Sequence, residues 1–201
     1  VVVKDDVSVE DSTYSTGRRG IAGTIFVHKI AGAKAEKDGT LIEVKEVANK
    51  VIPNVRSMGV ALNSCILPGV GKPVFDISDD EIEIGMGIHG EPGINRSPKI
   101  PSKAIAEQLI DSILKDYDYS NSEVAILVNG LGGTPLMELY ILNNDINNIL
   151  TSKGIKIYKS FVGNYMTSLE MAGCSLSILK LDNELKELLD YSCNTPALKI
   201  F

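Results

Sequence analysis

Glu123-Val124-Ala125-Ile126-Leu127-Val128-Asn129-Gly130-Leu131-Gly132-Gly133-Thr134-Pro135 is the stretch that decides the fold. Its first half is an apolar run of strand length, apolar on both faces, as in a strand covered on both sides. Its second half is a glycine-rich turn into a helical pattern that reaches about Leu150. Thr134 suits the N-cap and Pro135 the first helical position. A buried strand that feeds a helix through a tight turn is the repeating unit of an α/β architecture.

The same alternation continues on both sides. Downstream, Gly154 separates the helix from a strand over Ile155 to Val162, and a final strand runs from Ser175 to Leu181. That run reads as hairpin-like and makes the sheet mixed. Asp182 caps a short helix from Asn183 to Tyr191, and Thr195-Pro196-Ala197-Leu198 forms a tail. Upstream, Ser102 is the expected N-cap of a helix to about Leu114, with Ile105, Leu109, Ile110 and Ile113 as its stripe. Arg96 to Pro101 reads as a proline-punctuated linker, and Ser57 to Leu67 as a central strand. A helix over Leu41 to Val51 carries Leu41, Val44, Val47, Ala48 and Val51 on its inner face and ends at Pro53-Asn54.

An earlier helix follows Gly17-Arg18-Arg19-Gly20, with Ile21, Ile25, His28 and Gly32 on one side and Ala22, Phe26 and Ile30 on the adjoining side. His28 beside an apolar stripe reads as structural. Arg18 and Arg19 have the chemistry to bind an anion, though paired arginines at a helix start are more often a solvated, carboxylate-paired end. Val1-Val2-Val3 reads as a short strand that begins without a preceding turn, the look of a segment cut from a longer chain. The fold class is therefore α/β, a mixed β-sheet layered with helices.

Composition narrows the function classes. The 201 residues suffice to bury a sizeable core. A net charge of −6 with no basic stripe points away from nucleic acid. No apolar run approaches membrane-spanning length. Cys65, Cys174 and Cys193 are odd in number, far apart and without metal-ligand spacing. They fit free thiols in a reducing compartment, hence a cytoplasmic protein with no metal site in this chain.

The candidate site is Glu81-Ile82-Glu83-Ile84-Gly85-Met86-Gly87-Ile88-His89-Gly90-Glu91-Pro92-Gly93. Ile82, Ile84, Met86 and Ile88 alternate with Glu81, Glu83, Gly85 and Gly87, the period-two pattern of a half-buried strand. His89 falls on the glycine face, where Gly85 and Gly87 leave room for a ligand or another backbone. Gly90 and then Glu91-Pro92-Gly93 turn the chain. A lone histidine at a strand end is commonly a hydrogen-bonded structural residue, but a packed histidine needs no cleared space before it. The turn from Gly130 to Thr134 offers a second possibility, an anion held at a helix N-terminus. It is not a P-loop, because no Lys-Ser or Lys-Thr follows, and it lacks the dinucleotide glycine spacing. A plain strand-to-helix connection explains it equally well.

Three stretches together resemble one family: Gly85-Met86-Gly87-Ile88-His89-Gly90-Glu91-Pro92-Gly93-Ile94, Asn129 through Tyr140, and Tyr14-Ser15-Thr16-Gly17-Arg18-Arg19-Gly20. The Thr167 to Ser175 segment and the Thr195 to Leu198 tail also fit. The family is the substrate-binding K subunit of dihydroxyacetone (glycerone) kinase. The resemblance implies that His89 bonds covalently to dihydroxyacetone as a hemiaminal, with Gly87 and Gly90 beside the substrate.

It implies no cofactor in this chain. Nucleotide and magnesium are expected on a separate, mainly helical L subunit or a fused domain. A homodimer is expected, with neither nucleic acid nor membrane as partner. The family's first-domain motifs, Gly-Gly-Ser-Gly-His-Glu-Pro and Lys-Asn-Tyr-Thr-Gly-Asp, are absent from this sequence and would lie before Val1. Residues 1–52 then correspond to the end of that first domain and 53–201 to the second. This stretch alone is expected to lack turnover. The competing expectation is a non-catalytic paralogue that senses dihydroxyacetone and acts as a transcriptional coactivator.

Overall fold

The computed structural model describes residues 1–10, 17–88 and 93–201. Among these residues the α-helices are α1 (Thr24–Glu36), α2 (Leu41–Val51), α3 (Ser102–Asp116), α4 (Leu136–Ser152) and α5 (Asn183–Asp190). The main sheet comprises β1 (Val55–Ala61), β2 (Glu81–Ile84), β3 (Asn95–Pro98), β4 (Glu123–Gly130), β5 (Lys156–Gly163) and β6 (Gly173–Lys180), in the order β3-β2-β1-β6-β4-β5. Only the β4–β5 pair is parallel, so the sheet is mixed as the sequence implies. A small hairpin, β7 (Cys193–Asn194) with β8 (Lys199–Ile200), closes the chain.

Helices cover both faces, which is why β4 is apolar from Val124 to Val128. Val124, Ile126 and Val128 join Met58, Ile82 and Ile178 under α3 and α4. Ala125 and Leu127 join Val55 and Leu179 under α1, α2 and α5. Phe26 and Ile30 of α1 and Val47 and Val51 of α2 share that second core, so the first two helices pack on the sheet built by the rest of the chain. The two sheet edges are polar. β3 is Asn-Arg-Ser-Pro and β5 carries Lys156 and Lys159, which pair with Glu123 and Asp190. Proline and lysine on edges discourage further strand pairing.

Several local expectations are corrected. Val1 to Val3 form no strand; Asp6 instead makes a single parallel bridge to Ser57 of β1. The strand expected over Ser57 to Leu67 starts at Val55 and ends at Ala61. The linker from Arg96 contains β3, which pairs antiparallel with β2. β5 and β6 are not a hairpin: β6 inserts between β1 and β4, where its small Ser175 and Ser177 meet Gly59 and Ser57 in register. Leu41 is exposed, and α2 buries Val47, Ala48 and Val51 only. Thr40 closes α2 with a reciprocal capping box to Glu43, an arrangement that stabilises a helix by about 1 kcal/mol. Ser102 is not a cap; Pro101 occupies that position. His28 is exposed on α1, whose buried side is Phe26, Val27, Ile30 and Ala33. Asp182 does cap α5, accepting from the Leu185 amide at 2.9 Å.

Arg18 and Arg19 are both engaged. Arg18 donates to Asp116 at 2.9 Å, and Arg56 of β1 reaches the same carboxylate. The Arg18 hydrogen bonds, with those of Arg56, hold the Asp116 carboxyl down at about 2. A lowered folded-state value means stabilisation that is complete above the ordinary value near 3.8 and lost as pH falls from there through about 2. Urea unfolding across this range should show the loss in the native chain, and Asp116→Asn should flatten it while lowering stability at neutral pH.

The glycine turn after β4 is packed against backbone. A Cβ on Gly132 (φ +122°) would lie 1.9 Å from the Leu169 carbonyl oxygen, and one on Gly133 2.3 Å from that of Glu170. Gly132→Val should therefore destabilise by about 3 kcal/mol or more. Gly69→Ala, at positive φ but in open space, should cost about 1 kcal/mol. Thermal melts of the two variants check the contrast.

Candidate functional site: the loop between β2 and β3

The strand carrying the histidine motif ends earlier than its alternation implies. At Ile84 the ladder to β1 stops, and Gly85 takes φ +80°. A side chain there would be strained and crowded, since its Cβ would meet Ser8 Cβ at 2.8 Å. The chain rejoins the sheet where the Ile94 amide donates to the Ile84 carbonyl at 2.8 Å. The described residues on either side of the histidine motif, Gly85 and Ile94, thus lie side by side at the end of β2.

Each end is fixed separately. At the exit, the Gly85 amide donates to Gly59 O at 2.7 Å, while the Gly85 carbonyl accepts from Arg19 Nη2 at 2.7 Å. Ser8 Oγ lies 3.1 Å from the same carbonyl. Arg19 is only 6% exposed, and Asp6 balances its charge: Arg19 Nε donates to Asp6 Oδ2 at 2.9 Å. Burial pushes the Asp6 carboxyl above its usual range, and the adjacent Arg19 opposes that shift. At the return, buried Glu83 accepts from the Gly93 amide at 2.7 Å and from Arg96 Nε at 3.1 Å. Met86 and Ile88 rest on a small apolar floor of Ala61, Cys65, Leu131 and Met171. Gly59 lets them pass, because a Cβ there would sit 2.9 Å from the Met86 carbonyl oxygen.

Of the residues expected to contact substrate, Gly87 is buried within this loop. His89, Gly90 and the neighbouring Glu91 lie outside the described residues, as do Tyr14 to Thr16 of the third motif. The sequence reading missed Asp6 and Ser8, placed Glu83 only in the strand's alternation, and expected a carboxylate-paired Arg19 at a solvated end, whereas Arg19 is paired but buried. A signal was present: Asp5-Asp6 sits between Val3 and Val7, and Arg19 precedes the apolar Ile21-Ala22.

Two amides of the alternative anion site are taken by neighbouring backbone. The Gly133 amide is taken by Met171 O at 2.9 Å and the Leu131 amide by Gly173 O at 3.2 Å. Thr134 does not cap α4; its hydroxyl donates to Gly173 O and accepts from the Gly173 amide. The turn is a strand-to-helix connection riveted to residues 168–173. Among the described residues no group of three His, Cys, Asp or Glu side chains is placed to hold a metal. Burial pushes the Cys174 thiol up to about 12, which leaves it inert. Among the described residues no helix is long and apolar enough to cross a membrane. A cavity of about 770 Å³ lies elsewhere, between α1 and the tail hairpin, lined by His28, Lys29, Tyr165 and Cys193 among others.

Comparison with known proteins agrees with the motif reading. The chain is 52% identical over 185 residues to the PTS-dependent dihydroxyacetone kinase 1, dihydroxyacetone-binding subunit DhaK, of Listeria innocua, across 92% of this chain and 56% of that protein. It thus spans little more than half the length of that curated relative. Among solved structures, the dihydroxyacetone kinase operon co-activator Dha-DhaQ superposes with a TM-score of 0.88 at 36% identity, over 98% of this chain and 61% of the other. The native dihydroxyacetone kinase of C. freundii superposes with a TM-score of 0.85 at 33% identity, over 100% of this chain and 36% of the other; the same kinase is also known in complex with AMP-PNP and Mg2+. The Dak1 domain family matches residues 1–197, and the chain belongs to that family.

Proposed function

We propose that this chain is the substrate-anchoring part of a dihydroxyacetone kinase subunit. The observation that carries the reading is that the described residues flanking the histidine motif are fixed, Gly85 by Arg19 and Gly93 by Glu83, in a chain 52% identical to a dihydroxyacetone-binding subunit. His89 lies within that loop's sequence. A neutral imidazole nitrogen adds to the ketone carbon of dihydroxyacetone. The carbonyl π pair moves to oxygen, and the ring N–H proton passes to that oxygen through solvent. The product is a hemiaminal with one new N–C bond and no leaving group. With an ordinary pKa of about 6.5, enough imidazole is neutral near pH 7 for this addition. Glycerol has no carbonyl and cannot form the bond, so the anchor is also a test of the substrate.

Phosphoryl transfer then needs groups outside this chain. Nucleotide and magnesium belong on a partner L subunit or a fused domain, in keeping with the AMP-PNP and Mg2+ complex of the C. freundii enzyme. The acid–base groups belong to the upstream part of the subunit, which forms a homodimer in the cytoplasm. A second reading, a dihydroxyacetone-sensing coactivator, is favoured by the close superposition on the operon co-activator.

Carbon-13 NMR of dihydroxyacetone labelled at its ketone carbon separates these outcomes from failure. The ketone signal should move to the tetrahedral region with the native subunit and stay at the carbonyl position with His89→Ala. Absence of the shift in the upstream-extended subunit would sink the covalent anchor. Turnover with an added nucleotide-bearing partner marks the enzyme; an adduct without turnover marks the sensor.

A further inference from the structure

Exposed apolar side chains gather at the end of the sheet where β1 and β4 finish and β6 begins. The segment after β1, the turn from β4 into α4 and the segment before β6 meet there, held together by polar contacts. The Leu62 amide donates to Ala172 O at 2.7 Å and the Ile66 amide to Glu170 Oε1 at 2.7 Å, while Gly132 lies against the Leu169 carbonyl. All three segments present large apolar residues to solvent: Ile66 and Leu67 in the first, Leu136, Met137 and Tyr140 at the start of α4, and Leu169 in the third.

Two features separate this from the ordinary scatter of surface hydrophobes. Among the exposed positions from Leu136 to Ile141 only Glu138 is polar, whereas the next exposed positions of α4 are Asn144 and Asn148. The apolar solvent face is thus confined to the helix end that meets the other two segments, and Met137 there is 73% exposed. Leu169 holds a left-handed φ of +52°, costly for a bulky residue, and is still 47% exposed. Asn or Asp would adopt that angle more cheaply and suit water better.

The patch also borders the candidate site. Met86 and Ile88, the latter preceding His89 in sequence, rest on Leu131 and Met171. Those two residues are chain neighbours of Gly132 and Glu170, in the same two segments that carry Leu136 and Leu169. We propose that this apolar end of the sheet is the seat of the nucleotide-bearing partner, with Met137 and Leu169 as its anchors. The proposal rests on the reading of the chain as part of a kinase subunit, in which a donor held by another protein part must come up to the substrate. The charges set between the apolar residues are acidic, Glu138 beside Met137 and Glu170 beside Leu169, so the seated surface is apolar with lysine or arginine opposite them. A second copy on the same patch would stand in the path of the donor, and a helix pair along α4 would need the apolar face to continue past Ile141.

The test uses the full-length subunit and its nucleotide-bearing partner, with binding read by calorimetry in the absence of dihydroxyacetone. Met137→Glu puts a charge on the patch in a helical first turn that tolerates it, and Leu169→Asn removes the apolar side chain at an angle Asn accepts. Each should weaken partner binding by about tenfold or more. The adduct that the subunit forms alone in carbon-13 NMR should not change. Met137→Cys should react with a maleimide in the subunit alone and be shielded once the partner is bound, as mapped by mass spectrometry. If Met137→Glu does not fold, Leu169→Asn and the labelling decide. Unchanged affinity in the folded variants overturns the proposal. Shielding before the partner is added also overturns it, and assigns the patch to the upstream half of the subunit or to a second copy. A native subunit that binds no such partner overturns it as well, while the adduct, read separately, decides the covalent anchor.

Discussion

A carbonyl that turns out of a β-ladder inside a protein must find a donor that the sheet cannot supply. Gly85 creates this problem at the end of β2, and its solution reaches back to the first residues of the chain. A buried guanidinium can serve only if its own charge is met, so Asp6 must be buried beside it. Asp6 in turn is held in place by the bridge to Ser57, and its neighbour Asp5 faces the opposite way. Asp5 accepts from the amides of Ile21 and Gly23 at 2.8 Å each, just before α1 begins. Two adjacent aspartates thus tie the start of α1 to one side of the sheet and the loop to the other. Removing either would leave a buried polar group without its partner, which costs more than the bond itself contributes.

The sheet end that carries this loop is built by backbones in close approach. Gly59 admits the Met86 carbonyl, Gly132 and Gly133 admit the carbonyls of Leu169 and Glu170, and a Cβ on Gly173 would strike the Val60 carbonyl at 2.3 Å. Side chains are cleared so that three connections cross one another at hydrogen-bond distance. The same glycines that suggest a phosphate cradle in the sequence are here occupied by neighbouring chain. Glycine spacing alone cannot separate the two, because a backbone carbonyl and a bound anion ask for the same absence of Cβ and the same exposed amides.

Legibility followed locality. β4, α2 and α5 were readable because their signals are contained within them: an apolar run, an apolar stripe stopped by Pro53-Asn54, an Asp182 cap. β3 was not, because Asn-Arg-Ser-Pro is an edge strand whose only partner is β2 and whose composition is that of a loop. The place of β6 between β1 and β4 was not, since pairing order is set by contacts far apart in sequence. The misreading of Val1 to Val3 has the same origin: a β-branched run promises a strand only where a neighbour offers a ladder. At the site, the histidine motif announced itself through glycines, but Arg19 did not. Its role depends on a carbonyl 66 positions away, turned by a backbone angle that no side chain records.

The cavity between α1 and the tail and the proposed site draw on different residues, and the size of the proposed substrate explains why they need not coincide. A triose gains at most about 1.5 kcal/mol per heavy atom from noncovalent contact, and it has few atoms to bury. A deep apolar groove such as the one between α1 and the tail offers such a ligand little. A covalent bond to a ketone supplies affinity and selection together, and what it demands of the protein is a nucleophile held in one place. That is a requirement on a loop's two ends rather than on a cavity's walls. On the proposed reading, the left-handed Gly85, the buried Arg19 and the buried Glu83 are the fixed points on either side of the histidine motif.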